Sequence, residues 1–166
     1  MKNILMLTSY RTIQDQKVYI SLSLKKEMQT ITINYLAVLL SAISAMVIGG
    51  LWYSPLVFGN VWMKLANITE KQIKEAKKKG MTKSYILMFF STVVMSYVLA
   101  HFVKYMQITT VGNALKLAVW IWLGFITTIL ISSVLWEGKP VKLYFLNISH
   151  YLITLIVMTI ILTFLV

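Results

Sequence analysis

Hydrophobic positions in this chain gather into four long runs, Asn34–Tyr53, Ser84–Met106, Asn113–Trp136 and Phe145–Val166. Each is long enough to cross a hydrocarbon core, which takes about 20 helical residues. None carries a charge near its centre. Lys104 and Lys116 stand within about two turns of a run's end, where a lysine stem reaches the headgroups. The pattern predicts an all-α integral membrane protein, a four-helix bundle with a short helical connection between the first two spans.

That connection, residues 54–83, divides in two. In its first part Phe58, Val61, Trp62 and Leu65 recur at helical spacing. This predicts a short helix at the headgroup level, with Trp62 as its anchor. The second part has a helix start and stop. Thr69 with Gln72 three residues on forms a capping-box pattern. Glu70 sits in the first turn, Lys77–Lys79 in the last, and Gly80 follows as the stop. Glu70 and Lys74, and Glu75 and Lys79, are i,i+4 pairs in the favourable order. This segment reads as a solvated, charged helix whose basic end can also meet anionic lipid.

Composition narrows the class. Of 166 residues, 58% are hydrophobic, and the mean hydropathy is +0.76. The spans use roughly half the chain and leave little for a soluble catalytic domain. The net charge of +11 would suggest nucleic acid in a soluble protein. Here the loops account for it, and no nucleic-acid recognition motif accompanies it. The chain has no cysteine, two histidines and five carboxylates. Disulfides and thiol chemistry are therefore excluded, and neither a metal site nor a cofactor is expected.

Charge also orients the bundle. The 54–83 connection holds seven lysines, and Lys139 and Lys142 lie in 137–144. The opposite face holds Lys104 and Lys116. By the positive-inside rule, 54–83 and 137–144 are cytoplasmic and both termini lie outside, in a prokaryotic cell membrane. Residues 1–27 carry five further basic residues and would erase most of that bias. They lack a signal-peptide core and cleavage site. Met28 stands just before the first span and is the expected biological start, with 1–27 an upstream or flexible extension.

Small residues recur every four positions in two spans: Ala37, Ser41, Ala45 and Gly49 in the first, Gly124, Thr128 and Ser132 in the third. Such stripes let helix backbones approach closely where lipid offers no hydrophobic drive. They face one another, or one faces a second subunit. A weak internal echo pairs Leu51-Trp-Tyr-Ser-Pro55 with Leu135-Trp-Glu-Gly-Lys-Pro140, in keeping with two tandem hairpins.

The richest polar cluster gathers at the ends of the first and third spans: Trp52, Tyr53, Ser54, Pro55, Trp136 and Glu137. Asn147 and His150 lie three apart on one face of the fourth span, just below the same surface. If Glu137, Asn147 and His150 meet, they could relay protons or hold a cation. The simpler and preferred alternative pairs Glu137 with Lys139 or Lys83 and uses Asn147 and His150 as interhelical hydrogen-bonding glue.

The ordered segments Gly49-Gly-Leu-Trp-Tyr-Ser-Pro55 with Phe58-Gly59, Lys77-Lys-Lys-Gly-Met81, Trp122-Leu-Gly-Phe125 and Ser133-Val-Leu-Trp-Glu-Gly138 resemble a family. It is a set of small prokaryotic four-span membrane proteins known as domain of unknown function 1761. The resemblance covers about residues 33–164. It implies a start a few residues before the first span and implies no activity. Two functional readings follow from the residues. One is a transporter- or channel-like subunit working as a homo-oligomer. The other is a structural or accessory protein that binds a membrane partner. An enzyme ranks last, because no paired-carboxylate, Ser–His or metal-ligand signature is present.

Edman sequencing of the native protein is expected to read from Met28. A mature chain retaining Lys2 or Arg11 would overturn that start.

Overall fold

The computed structural model describes residues 11, 13–21 and 32–166. Every regular element among them is helical. Residues 13–21 form a short exposed helix within a first unit, Met1–Thr32, and the second unit is Ile33–Val166. Met28 and most of the 1–27 extension lie outside the described residues.

The second unit contains α1 (Tyr35–Trp52), α2 (Gly59–Leu65), α3 (Glu70–Lys79), α4 (Thr82–Tyr105), α5 (Val111–Leu135) and α6 (Val141–Leu165). Helices α1, α4, α5 and α6 are each long and apolar enough to cross a membrane. Helix starts follow local chemistry. The Asn34 side chain accepts from the amides of Leu36 and Ala37, and its own amide donates to the Leu165 carbonyl at 2.8 Å. That bond ties the start of α1 to the end of α6. Thr69 and Gln72 form a complete capping box at α3, and Gly80 ends that helix at φ +85°. Glu70 and Lys74 stand 3.9 Å apart on its exposed surface. Such a solvated pair contributes about 0.3–0.5 kcal/mol.

Helix α6 starts at Val141, four residues ahead of the apolar run at Phe145. Pro140, at φ −60°, suits the position before a first helical turn and has no N–H to leave unpaired. Lys142 is exposed in that first turn.

Helix α6 is the centre of the bundle. It packs against α1, α4 and α5, and α2 also rests on it. α1 supplies its small residues to this contact: Ala37, Ser41 and Ala45 are buried, and Leu155, Met158 and Leu162 fill the facing side. Two serine hydroxyls add cross-helix bonds, Ser96 Oγ to the Val38 carbonyl at 2.8 Å and Ser41 Oγ to the Met158 carbonyl at 3.5 Å. In a membrane each such bond contributes about 0.6 kcal/mol, so packing carries most of the association. α4 packs on α1 and α6, whereas α5 packs chiefly on α6.

The stripe on α5 has a different fate from that on α1. Gly124, Thr128 and Ser132 are all exposed, and a Cβ built on Gly124 meets nothing within 4 Å. The two stripes do not face each other within one chain.

Residues Trp122–Thr127 of α5 are wound as a π-helix, which periodicity does not predict. A π turn breaks the regular i→i−4 ladder, and side chains take up the carbonyls. Thr127 Oγ1 donates to the Leu123 carbonyl and Thr128 Oγ1 to that of Gly124, both at 2.7 Å. α6 grips the segment from the side: Tyr144 Oη donates to the Thr127 carbonyl at 3.1 Å, and Trp122 Nε1 donates to the Ile148 carbonyl at 2.7 Å.

Gly59 shows where the fold demands a glycine. A Cβ there would stand 2.5 Å from the Tyr53 carbonyl oxygen and 2.6 Å from the Ser54 carbonyl carbon. Both are backbone atoms and cannot swing away. Gly59→Ala is expected to lower stability by about 1–3 kcal/mol, the usual cost of overpacking. Gly50 lies in α1 with nothing within 4 Å of a built Cβ. Gly50→Ala should therefore stabilise by about 0.5–1 kcal/mol through helix propensity alone. Thermal unfolding in detergent measures both, and shifts of the same sign would contradict the geometry.

Candidate functional site

The site is built where α1 ends. Beyond Trp52 the chain turns sharply: the Phe58 amide donates to the Trp52 carbonyl at 3.0 Å, and the Gly59 amide to that of Ser54 at 2.8 Å. The missing side chain of Gly59 lets α2 start directly on this turn. The reversal brings Phe58 against Trp52, with ring centroids 4.6 Å apart. It also sets Trp62 edge-on to Tyr53 at 5.6 Å. Trp62 is thus half-buried against the bundle rather than free in the headgroups.

α6 supplies the other half. Asn147 and His150 lie six and nine residues beyond Val141, hence roughly 9 and 14 Å along the helix. Tyr53 Oη donates to Asn147 Oδ1 at 3.0 Å. The His150 ring lies 5.1 Å from that of Tyr53 and 6.0 Å from that of Trp52. His150 is only 6% exposed. Thr154 Oγ1 donates to the His150 carbonyl at 2.9 Å and stands 3.4 Å from its Nε2. Gly49 borders the ring from α1, where a built Cβ would sit 3.5 Å from Nε2.

Two buried nitrogens, Trp52 Nε1 and His150 Nδ1, have no hydrogen-bond partner among the described residues. Leaving such a group unpaired costs about 1–3 kcal/mol. A native structure that keeps two of them in adjoining rings calls for an explanation.

The structure thus brings together Trp52, Tyr53, Asn147 and His150. It does not add Glu137 or Trp136. Glu137 pairs with Lys139 at 2.7 Å, with side chains 55% and 49% exposed. No hydrogen bond or ion pair joins Glu137 to Asn147 or His150 among the described residues. Trp136 is 86% exposed. The reason is the reversal after α5, where the Lys139 amide bonds the Ser133 carbonyl and Gly138 takes φ +65°, so Glu137 remains hydrated. Ser54 Oγ donates to the Leu51 carbonyl at 2.7 Å, and Pro55 is exposed in the turn. These two shape the turn and do not line the cluster.

Sequence reasoning did not bring Phe58, Tyr151 or Thr154 into this site. Phe58 and Trp62 share a helical face, which was a usable signal. Thr154 follows His150 by four residues, on the same face of α6. Tyr151 packs edge-on to the His150 ring at 5.1 Å, and nothing in its spacing marks it. Chemically, the cluster is a set of packed aromatic rings carrying hydrogen-bonding groups, with no carboxylate among them.

Tyr53→Phe, which removes the bond to Asn147, is expected to cost about 1 kcal/mol of stability. Glu137→Gln loses only a half-exposed pair and should cost no more than about 0.5–1 kcal/mol, with salt reducing the difference further. Denaturant unfolding at low and high salt measures both. A larger, salt-independent loss for Glu137→Gln would show that the carboxylate, not Tyr53, holds this end together.

A family model described as a protein of unknown function, DUF1761, matches residues 36–163. No curated protein and no solved structure matches the chain. The match takes in all four apolar helices and both halves of the cluster. The protein is a membrane-embedded member of the DUF1761 family.

Proposed function

We propose that this protein is a transporter- or channel-like subunit that works as a homo-oligomer, with the Trp52–Tyr53–Asn147–His150 cluster as its substrate-handling site. The observation that carries the reading is the pair of unpartnered nitrogens in adjoining rings of an apolar bundle. Polar groups inside a membrane bundle are expensive, and they mark substrate pathways when no structural bond accounts for them. The cluster lies against α2, whose Trp62 packs on Tyr53, at one end of the bundle. In the orientation set by positive charge that end is cytoplasmic, in a prokaryotic cell membrane.

Oligomerisation supplies what one chain lacks. Only 11% of the apolar stretch of α5 is buried within the chain, against 39% for that of α6. The exposed face of α5 carries Gly124, Thr128 and Ser132, small residues that suit close approach of a second copy. A pathway walled by two or more copies then becomes geometrically possible.

A second reading is an accessory protein. It is favoured by α3, whose exposed residues include Glu70, Lys71, Lys74, Glu75, Lys77 and Lys78, a charged surface suited to an acidic partner. That reading predicts co-purification of a membrane partner from native membranes and no solute flux.

Two measurements test the proposal. Purified protein in liposomes should conduct or exchange solutes above empty liposomes, and Asn147→Leu should abolish the signal. The chain has no native cysteine, so single-cysteine variants are unambiguous. Ser132→Cys on α5 is expected to cross-link between copies in native membranes, whereas Leu87→Cys on α4 is not. Equal cross-linking at both positions would remove α5 as the subunit contact.

A further inference from the structure

We infer that the Trp52–His150 cluster binds an alcohol hydroxyl, with one oxygen accepting from Trp52 Nε1–H and donating to His150 Nδ1. This rests on the cluster being a ligand site but not on transport.

Hydrogen-bond complementarity selects the ligand. An indole nitrogen can only donate, whereas a neutral imidazole has one donor and one acceptor nitrogen. Thr154 Oγ1 commits its proton to the His150 carbonyl at 2.9 Å. With that proton committed, the Thr154 oxygen 3.4 Å from Nε2 can only accept, which favours the tautomer with Nε2 protonated and Nδ1 as acceptor. Both Nδ1 and Trp52 Nε1 are buried and unpartnered, on rings whose centroids are 6.0 Å apart. One donor and one acceptor call for a group that both accepts and donates. A carboxylate or phosphate would turn lone pairs toward Nδ1, and an ammonium would turn its protons toward the indole N–H. A hydroxyl satisfies both nitrogens.

The surroundings agree. The two ion pairs among the described residues, Glu70–Lys74 and Glu137–Lys139, involve none of the cluster's residues. The neighbouring rings are uncharged: Phe58 packs on Trp52 and Trp62 stands edge-on to Tyr53, and aromatic faces suit the C–H surface of a polyol. Tyr53 Oη gives its proton to Asn147 Oδ1, so the tyrosine oxygen still has lone pairs for a second hydroxyl. The chemistry fits the glycerol unit, either as a soluble polyol or as the headgroup of a lipid such as diacylglycerol.

The test uses the full chain, 15N-labelled, in phosphatidylcholine nanodiscs. The Trp52 indole resonance is assigned by its loss in Trp52→Phe, and the unchanged Trp122 indole resonance confirms that the variant is folded. Glycerol titration should shift the Trp52 indole N–H and the His150 Nδ1 resonance together and saturably. If the two shift only when diacylglycerol is included in the disc, the hydroxyl comes from lipid. Either result supports the inference. Fluorescent-glycerolipid or glycerol binding should weaken about fivefold in Trp52→Phe, the loss of one neutral hydrogen bond. Resonances that ignore both probes would show a bridging water only and overturn it. A response to acetate in place of the hydroxyl compounds would also overturn it. Coupled shifts without solute flux in liposomes keep the hydroxyl site and end the transport reading, and flux without shifts does the reverse.

Discussion

The close approach of α1 to α6 is the contact on which the rest of the unit depends. Lipid tails are as apolar as leucine, so burying leucine between helices brings no hydrophobic gain in the membrane. Association must come from contact density, and that requires backbones to come near. Ala37, Ser41 and Ala45 make this possible, and Met158 and Leu162 fill the space opposite them with no exposed surface. Once α6 is seated on α1, its other faces receive α4 and α5. The Asn34–Leu165 bond closes one end of the pair, and the Tyr53–Asn147 bond closes the other.

Both ends of that pair use polar groups, yet in different ways. At the Asn34 end every polar atom of the side chain has a partner, a capping oxygen and a donating amide. At the Tyr53 end the pairing stops short, and two ring nitrogens remain unsatisfied within a wall of aromatic rings. Stability alone would favour apolar atoms in those places, since an unpaired buried donor weakens the fold. That contrast sets Trp52 and His150 apart from Glu137, whose charge is hydrated and paired with Lys139.

The segments that resemble the family acquire physical meaning in three dimensions. Trp52, Tyr53, Phe58 and Gly59 form a turn in which only a glycine fits, because the backbone of α2 starts against the Tyr53 and Ser54 carbonyls. Trp122-Leu-Gly-Phe125 is where α5 leaves regular winding, and Trp122 fastens that segment to the Ile148 carbonyl. Ile148 lies between Asn147 and His150, so the π segment braces the same stretch of α6 that carries the cluster. Windings of this kind often occur at functional sites.

The amino-acid sequence by itself determined the membrane class, the all-α bundle and the charged helix ending at Gly80. Those features depend on local quantities: run length, mean hydropathy, capping pairs and glycine stops. It also showed that Asn147 and His150 share a face, because helical periodicity is local too. Which of the four helices is central, and which of two similar small-residue stripes is buried, depended on how distant surfaces fit. The α1 stripe is buried against α6, whereas that on α5 is exposed, although their spacing is alike. For Glu137 the sequence left two partners open, Lys139 or Lys83, and the turn in which Gly138 takes φ +65° sets it on Lys139, away from the cluster. The unpaired nitrogens of Trp52 and His150 are visible only in the tertiary structure, because a hydrogen bond is missing only with respect to neighbours that folding brings together.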